Sequence, residues 1–321
     1  MPKAGSMINP VSDVWKYDPS KHIPNLAGKV IIITGGNSGT GKASAIELAK
    51  HNPKCIFLSA RSRAKFDDAL QSVKMVAPNA NVEFLELDLA SFASVNQAAE
   101  AVKASTDRLD ILINNAGIMG MPPGLSKEGY ELHFGTNHMG PALLTKLLLP
   151  LLLRTAEEPD ADVRIVNLSS MGHTNTPKGG IVFEGLKTQL SDHHSFVRYG
   201  QSKLANILHA RELARRYPSI LSVSVHPGRV ATQLLDDMYS RRTIVGTLMQ
   251  VYDKVANPLT PEQGAFTQLW AATWPKKEDI VNGAYYEPFG KLAHGTKDAR
   301  NLNLADKLWV WQEAEFGKYG V

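Results

Sequence analysis

The sequence is almost without cysteine. Cys55 stands alone among 321 residues, which excludes an intrachain disulfide and any zinc site built from cysteines, and favours a reducing, cytoplasmic setting. Excess charge is scarce too. Lys and Arg number 35 against 31 Asp and Glu, a scattered net +4 that argues for no nucleic acid but suits an anionic ligand. The N-terminus lacks the apolar core of a secretory signal. The most apolar stretch, Leu143 to Leu153, is too short to span a bilayer and is interrupted by Lys146 and Pro150, so it reads as a buried helix with no membrane span. Internal repeats, low-complexity tracts and linkers are absent as well. What remains, 43% hydrophobic and 21% charged, is the composition of one large soluble domain.

Within that domain apolar β-branched runs alternate with stretches of helical spacing. Val30 to Ile33, Cys55 to Ala60, Val82 to Leu87, Leu109 to Ile113, Val163 to Leu168 and Leu221 to Val225 read as strands. Strands apolar on both faces belong inside a parallel sheet. Segments such as Lys42 to Lys50, Ser94 to Lys103 and Ser202 to Arg216 read as the helices between them. The expected fold is a single-domain α/β protein of Rossmann type: a doubly wound parallel sheet with helices on both faces. Its expected extent is residues 28–290, preceded by an arm (1–27) and followed by a tail packed on the same domain (291–321).

The first strand runs into Thr34-Gly35-Gly36-Asn37-Ser38-Gly39-Thr40-Gly41. Glycines at 35, 39 and 41 permit a tight turn and let backbone N–H groups at a helix N-terminus approach a pyrophosphate. The spacing is not that of the common G-x-G-x-x-G signature, so position carries the reading. At the end of the second strand, where an acid would bind a ribose 2′-hydroxyl, stand Arg61-Ser62-Arg63. A missing acid and a present arginine point to NADP(H), with Arg61 forking onto the 2′-phosphate.

These features, with Asn114-Asn115-Ala116-Gly117 and Tyr199-Gly200-Gln201-Ser202-Lys203, resemble the short-chain dehydrogenase/reductase family: its TGxxxGxG loop, its NNAG element and its YxxxK pair, in order. Tyr199 to Arg216, His226-Pro227-Gly228-Arg229-Val230-Ala231-Thr232 and Thr260 to Ala265 resemble the retinol-dehydrogenase and WW-domain-oxidoreductase branch. Thr40 departs from the pattern, which most often has Ile there. The resemblance implies that Asp88 and Leu89 lie against the adenine, and that Asn115 and Gly117 line the cofactor cleft. It also implies that Pro227, Gly228, Val230 and Thr232 meet the nicotinamide side. A strand-end cap for Asp88 and a turn amide for Asn115 are the bland alternatives.

Tyr199 and Lys203, four apart, share one helical face. A free tyrosine near pKa 10 is a poor acid–base group at neutral pH; an ammonium about 4 Å away would favour the phenolate by roughly 4 kcal/mol and bring it near 7. The family pattern assigns Ser170, the second serine of the pair ending the fifth strand, to hold the substrate oxygen. It also assigns Asn137 to hold a water behind Lys203. Asn137 competes with readings as a helix cap or kink.

Lesser features read as structural. The adjacent His193 and His194 are expected to be solvated, His173 a loop residue, Cys55 a buried inert thiol, and no metal is expected. Apolar residues in 233–258 read equally as a lid over a lipophilic ligand or as a core-facing helix. The expectation is an NADP(H)-dependent oxidoreductase interconverting a carbonyl and an alcohol on a small lipophilic substrate. Reduction of an activated C=C or C=N bond, or a non-catalytic NADP(H)-binding scaffold, are the alternatives. By resemblance, a homodimer would pair through the helices holding Leu143 to Leu153 and Tyr199 to Arg216.

Overall fold

The computed structural model describes residues 17–231 and 258–321, so Thr232 and nearly all of the expected 233–258 lid lie outside the described residues. Eight strands form one sheet: β1 (Val30–Ile33), β2 (Cys55–Ala60), β3 (Val82–Glu86), β4 (Ile111–Asn114), β5 (Arg164–Leu168), β6 (Leu221–Val225), β7 (Tyr285–Glu287) and β8 (Lys291–Ala293). Their spatial order is β3-β2-β1-β4-β5-β6-β7-β8, parallel throughout except for the β7–β8 pair. The chain leaves β1 toward β2 on one side and β4 on the other. That reversal opens a crevice at the carboxyl ends of the strands, where ligands bind in such sheets.

Successive side chains of a strand point to opposite faces, and β1 shows why both faces needed apolar residues. Val30 and Ile32 enter one core layer, with Phe92 and Val95 of α3 (Phe92–Ser105), Leu143 and Leu148 of α4 (Gly140–Ala156) and Leu204 and Leu208 of α5 (Ser195–Arg216). Ile31 and Ile33 enter the other, with Leu48 of α1 (Gly39–Ala49), Phe66 of α2 (Arg63–Val76) and Leu269 of α6 (Pro261–Thr273). Edge strand β3 is half solvated, so its pattern is less uniform than the inner strands.

The helical stretch Leu132–Ala156 is long and apolar enough to cross a membrane, but Leu143, Leu144, Leu148 and Leu152 are fully buried in the core, and it is the central helix of one layer. Both ends of the described chain join the core. Tyr17, Ile23 and Leu26 are buried in the second layer, and β8 completes the sheet. The last helix, α7 (Leu302–Gly317), packs along α5, with Leu304 and Leu308 in the same core layer, and its Phe316 meets Phe92 of α3. Its Trp309 stacks on His209 at 5.5 Å, Asp306 pairs with Arg215 and Arg216, and Glu313 pairs with Lys146. The C-terminal helix thus covers part of α5 and reaches α4 through the Lys146–Glu313 pair.

Candidate active site

The glycine loop is pressed against the end of β4. Gly35 has φ +64°, and a Cβ there would lie 2.9 Å from that of Ala116. A Cβ on Gly41 would lie 2.5 Å from both Asn115 Nδ2 and the Gly35 carbonyl, so only glycine fits. Asn37, Ser38 and Gly39, all partly exposed, lead into α1, whose N-cap Ser38 makes no side-chain capping bond. First-turn N–H groups are thus available to an anion.

Thr40 and Asn115 brace this loop. Thr40 Oγ1 donates to Asn115 Oδ1 at 2.8 Å, and Asn115 Nδ2 donates to the Thr34 carbonyl at 2.9 Å. Gln268, from α6, completes the brace: its Nε2 lies 2.7 Å from Ser44 Oγ and 3.3 Å from Asn115 Oδ1. The Leu89 side chain is buried in the core beneath α4. Asp88, partly exposed, caps the strand end by accepting from Ala90 N at 3.1 Å through Oδ1. Of the two arginines after β2, Arg63 is held by Asp67 at 2.8 Å. Arg61 is exposed and has no ion pair among the described residues.

Across the crevice, Tyr199 and Lys203 project from α5, 6% and 4% exposed. Lys203 Nζ donates to the Leu168 carbonyl at 3.0 Å, at the end of β5. The two serines there separate cleanly. Ser169 turns inward and donates to the Lys203 carbonyl at 2.8 Å. Ser170 Oγ accepts from Gly172 N at 3.0 Å and faces the Tyr199 hydroxyl. Gly117 sits between the halves: a Cβ there would lie 3.3 Å from Lys203 Nζ and 3.2 Å from Asn137 Oδ1. Beyond β6, Pro227 and Gly228 are partly exposed, and buried Val230 bridges to Leu259.

Asn137 lies in a π-helical turn, Gly135–Met139, a distortion that recurs at functional sites. It lies inside that turn and not at its cap. Its Oδ1 accepts from Ile118 N at 2.7 Å, and its Nδ2 donates to the Ile118 carbonyl and to Ser202 Oγ, both at 3.0 Å. Asn137 clamps the segment after β4 onto α5.

The electrostatics also depart from the spacing argument. Burial pushes Tyr199 up to about 12, with Ser170 pulling the other way, and pushes Lys203 down to about 8. Lys203 Nζ is 5.7 Å from the Tyr199 ring centroid, and burial is the largest influence on both groups.

Several polar residues escaped the sequence reading. Asn206 lies seven after Tyr199 and three after Lys203, a helical spacing that signals the same face; its Nδ2 donates to the Asn137 and Leu168 carbonyls at 3.0 and 2.9 Å. His173, expected to be an ordinary loop residue, is 1% exposed and bonds the Ser170 carbonyl through Nδ1 at 2.7 Å, buttressing the Ser170 turn. His194 Nδ1 accepts from Phe196 N at the start of α5, and no cluster of three His, Cys, Asp or Glu suited to a metal occurs among the described residues. Cys55 is buried, and that burial pushes its thiol up to about 12.

The family profile for short chain dehydrogenases matches residues 29–243. The chain belongs to the short-chain dehydrogenase/reductase family. It is 37% identical over 308 residues to the short-chain dehydrogenase/reductase drtF of Aspergillus calidoustus, covering 92% of this chain and 96% of that one. It is 35% identical over 288 residues to retinol dehydrogenase 12 of Mus musculus, covering 88% and 85%. An uncharacterised protein of Mycobacterium paratuberculosis superposes with a TM-score of 0.70 at 29% identity, covering 93% of this chain and 96% of that one. As a member of this family the chain is an oxidoreductase of NAD(P)-dependent type that acts on small molecules.

Proposed function

We propose that this short-chain dehydrogenase/reductase transfers hydride between NADP(H) and a small lipophilic carbonyl or alcohol, working in the cytoplasm chiefly as a reductase. The observation that carries the reading is the convergence of Tyr199, Ser170 and Lys203 at the carboxyl end of β5, opposite a glycine cradle too tight for any side chain at Gly41. The cradle fits a dinucleotide: α1 would face the pyrophosphate, Arg61 the 2′-phosphate and Asp88 the adenine side. The cofactor, when bound, supplies the hydride that adds to the carbonyl carbon.

The chain's own groups handle the proton. Ser170 donates a hydrogen bond to the carbonyl oxygen and stabilises the charge that grows on it. Tyr199, held protonated by burial, gives its hydroxyl proton to that oxygen, and the alcohol forms as the C=O π bond is reduced. Lys203, near 8, then favours the resulting phenolate and stands beside it as the nearest proton carrier. Asn137 keeps Ile118 and α5 in register.

Fluorescence titration of NADPH and NADH against the wild type and Arg61→Ala tests the reading. NADPH affinity should exceed that for NADH and fall about 10- to 100-fold in the variant, the worth of a charge-assisted bond to phosphate, with NADH unchanged. Equal affinities overturn the NADP(H) assignment. Tight NADPH binding with no consumption of lipophilic ketones and aldehydes overturns the catalytic one.

A further inference from the structure

The segment after β4 is held at two points. Asn137 grips both backbone groups of Ile118, with Ser202 of α5 as its partner. Four residues back along each of those elements stand His133 and Arg198, and together they grip Met121. Met121 N donates to His133 Nε2 at 3.1 Å, and Arg198 Nη2 donates to the Met121 carbonyl at 2.8 Å. A backbone N–H can only donate, so His133 Nε2 accepts and the ring proton is on Nδ1. That nitrogen lies 2.9 Å from Glu131 Oε1, and Arg198 Nε lies 3.6 Å from the same oxygen. Both grips on Met121 are thus anchored on one carboxylate.

Glu131, His133 and Arg198 are all fully buried. The other carboxylate oxygen, Glu131 Oε2, accepts from Phe134 N at 2.8 Å and so caps the helical stretch that carries Asn137. Glu131 N donates to the Leu186 carbonyl at 2.8 Å, and Arg198 Nη1 to the Gln189 carbonyl at 3.3 Å, both in the long connection between Ser170 and Tyr199. The His133 ring stands edge-on to that of Tyr199, with centroids 6.2 Å apart. One imidazole therefore touches both the Met121 backbone and the Tyr199 ring. Between the two gripped residues lie only Met119 and Gly120, and Met119 and Met121 are partly exposed. Thioether side chains adapt to apolar surfaces of irregular shape.

We propose that Glu131, His133 and Arg198 are positioning residues that fix Met121 beside Tyr199, and that the stretch Met119 to Met121 so held is the wall that measures the apolar part of the substrate. A buried ion pair adds little net stability, because desolvation offsets its attraction; its worth here is placement. The wall rests on the proposed oxidoreductase function; the clamp on Met121 does not.

Hydrogen exchange of the full chain, read residue by residue by mass spectrometry, tests the clamp without any turnover. The Met121 amide should exchange slowly in the wild type and about tenfold faster or more in His133→Leu, with the Ile118 amide, held by Asn137, unchanged. A wild-type Met121 amide as fast as in the unfolded chain, or one that exchanges no faster in His133→Leu, overturns the clamp. So does equal acceleration at Ile118, which would mean general loosening. Steady-state rates with NADPH on 2-butanone and 2-octanone test the wall. His133→Leu should change the ratio of the two kcat/KM values about tenfold, chiefly through KM, the scale on which an apolar pocket discriminates. The kcat for 2-butanone should stay within about threefold, since Tyr199, Ser170 and Lys203 are untouched. His133→Gln, whose amide oxygen can still accept from Met121 N, should restore the ratio. An equal fall for both ketones, or no rescue, reduces the triad to a brace of the fold and overturns the wall. If no ketone is consumed, the oxidoreductase reading falls and the wall with it, while the exchange result still decides the clamp.

Discussion

Asn115 and Asn206 hold opposite sides of the cleft by the same device, each pinning backbone carbonyls with its amide protons, yet their surroundings differ. Asn115 takes the Thr34 carbonyl, and its Oδ1 receives a hydroxyl from Thr40 and an amide from Gln268. None of those partners titrates. Asn206 shares the Leu168 carbonyl with Lys203, and its Oδ1 meets His138. The cofactor side is thus a closed, neutral brace that keeps the glycine loop in one shape. The catalytic side is built on buried ionisable groups, where desolvation moves Tyr199 and Lys203 in opposite directions. A binding surface needs constancy. A proton-transfer site needs groups whose charge can change.

Removing the proton donor should separate the two sides most sharply. Tyr199→Phe keeps the ring and its packing but deletes the hydroxyl, and kcat for carbonyl reduction should fall about 10³-fold, within the usual range for a lost acid–base group. The NADPH dissociation constant should stay within about twofold, because the brace around Asn115 is untouched. A parallel loss of cofactor affinity would show that the sides are not independent.

The next effect is on stability. Lys203 has its folded-state pKa lowered from 10.5 to about 8 by burial alone. A depressed pKa contributes stability above the unfolded value and loses it as pH falls through the folded one. The folded protein therefore carries its full desolvation penalty below about pH 8, and the penalty fades between 8 and 10.5. Lys203→Met, of similar length and without the charge, should be catalytically dead yet more stable at pH 7, by up to about 3 kcal/mol. Thermal unfolding from pH 7 to 10 should show that advantage shrinking as pH rises. A constant difference would mean that Lys203 is not strained by burial.

The sequence showed much of this fold because the inner strands are buried on both faces: Val30 to Ile33 and Val163 to Leu168 admit no other reading than a central strand. Strands β7 and β8 were missed because three residues are too few for a periodic signal, and the domain edge drawn at 290 falls inside their hairpin. Tyr199, Lys203 and Ser170 were legible from motif and order. Gln268 was not, since it reaches Ser44 from 224 residues away and nothing local marks it. Nor could spacing weigh desolvation against an ammonium. The four-residue interval puts Lys203 beside Tyr199, but only the burial of both shows which influence prevails.

The smallest effect is the sharpest check on the cofactor side. Thr40 stands where the family most often has isoleucine, and its hydroxyl looks essential because it donates to Asn115 Oδ1 at 2.8 Å. A closed brace is redundant, however: Gln268 Nε2 lies 3.3 Å from the same oxygen. Thr40→Ile should therefore cost less than about 1 kcal/mol, since the acceptor it abandons keeps a donor. Isoleucine keeps the methyl branch that lies over Gly264 and puts its longer arm where the hydroxyl faced Asn115. Unfolding temperature should drop by no more than about 3 °C, and NADPH affinity should hold within about twofold. A loss as large as that expected across the cleft would mean that Thr40 carries the loop alone and that the brace is not closed.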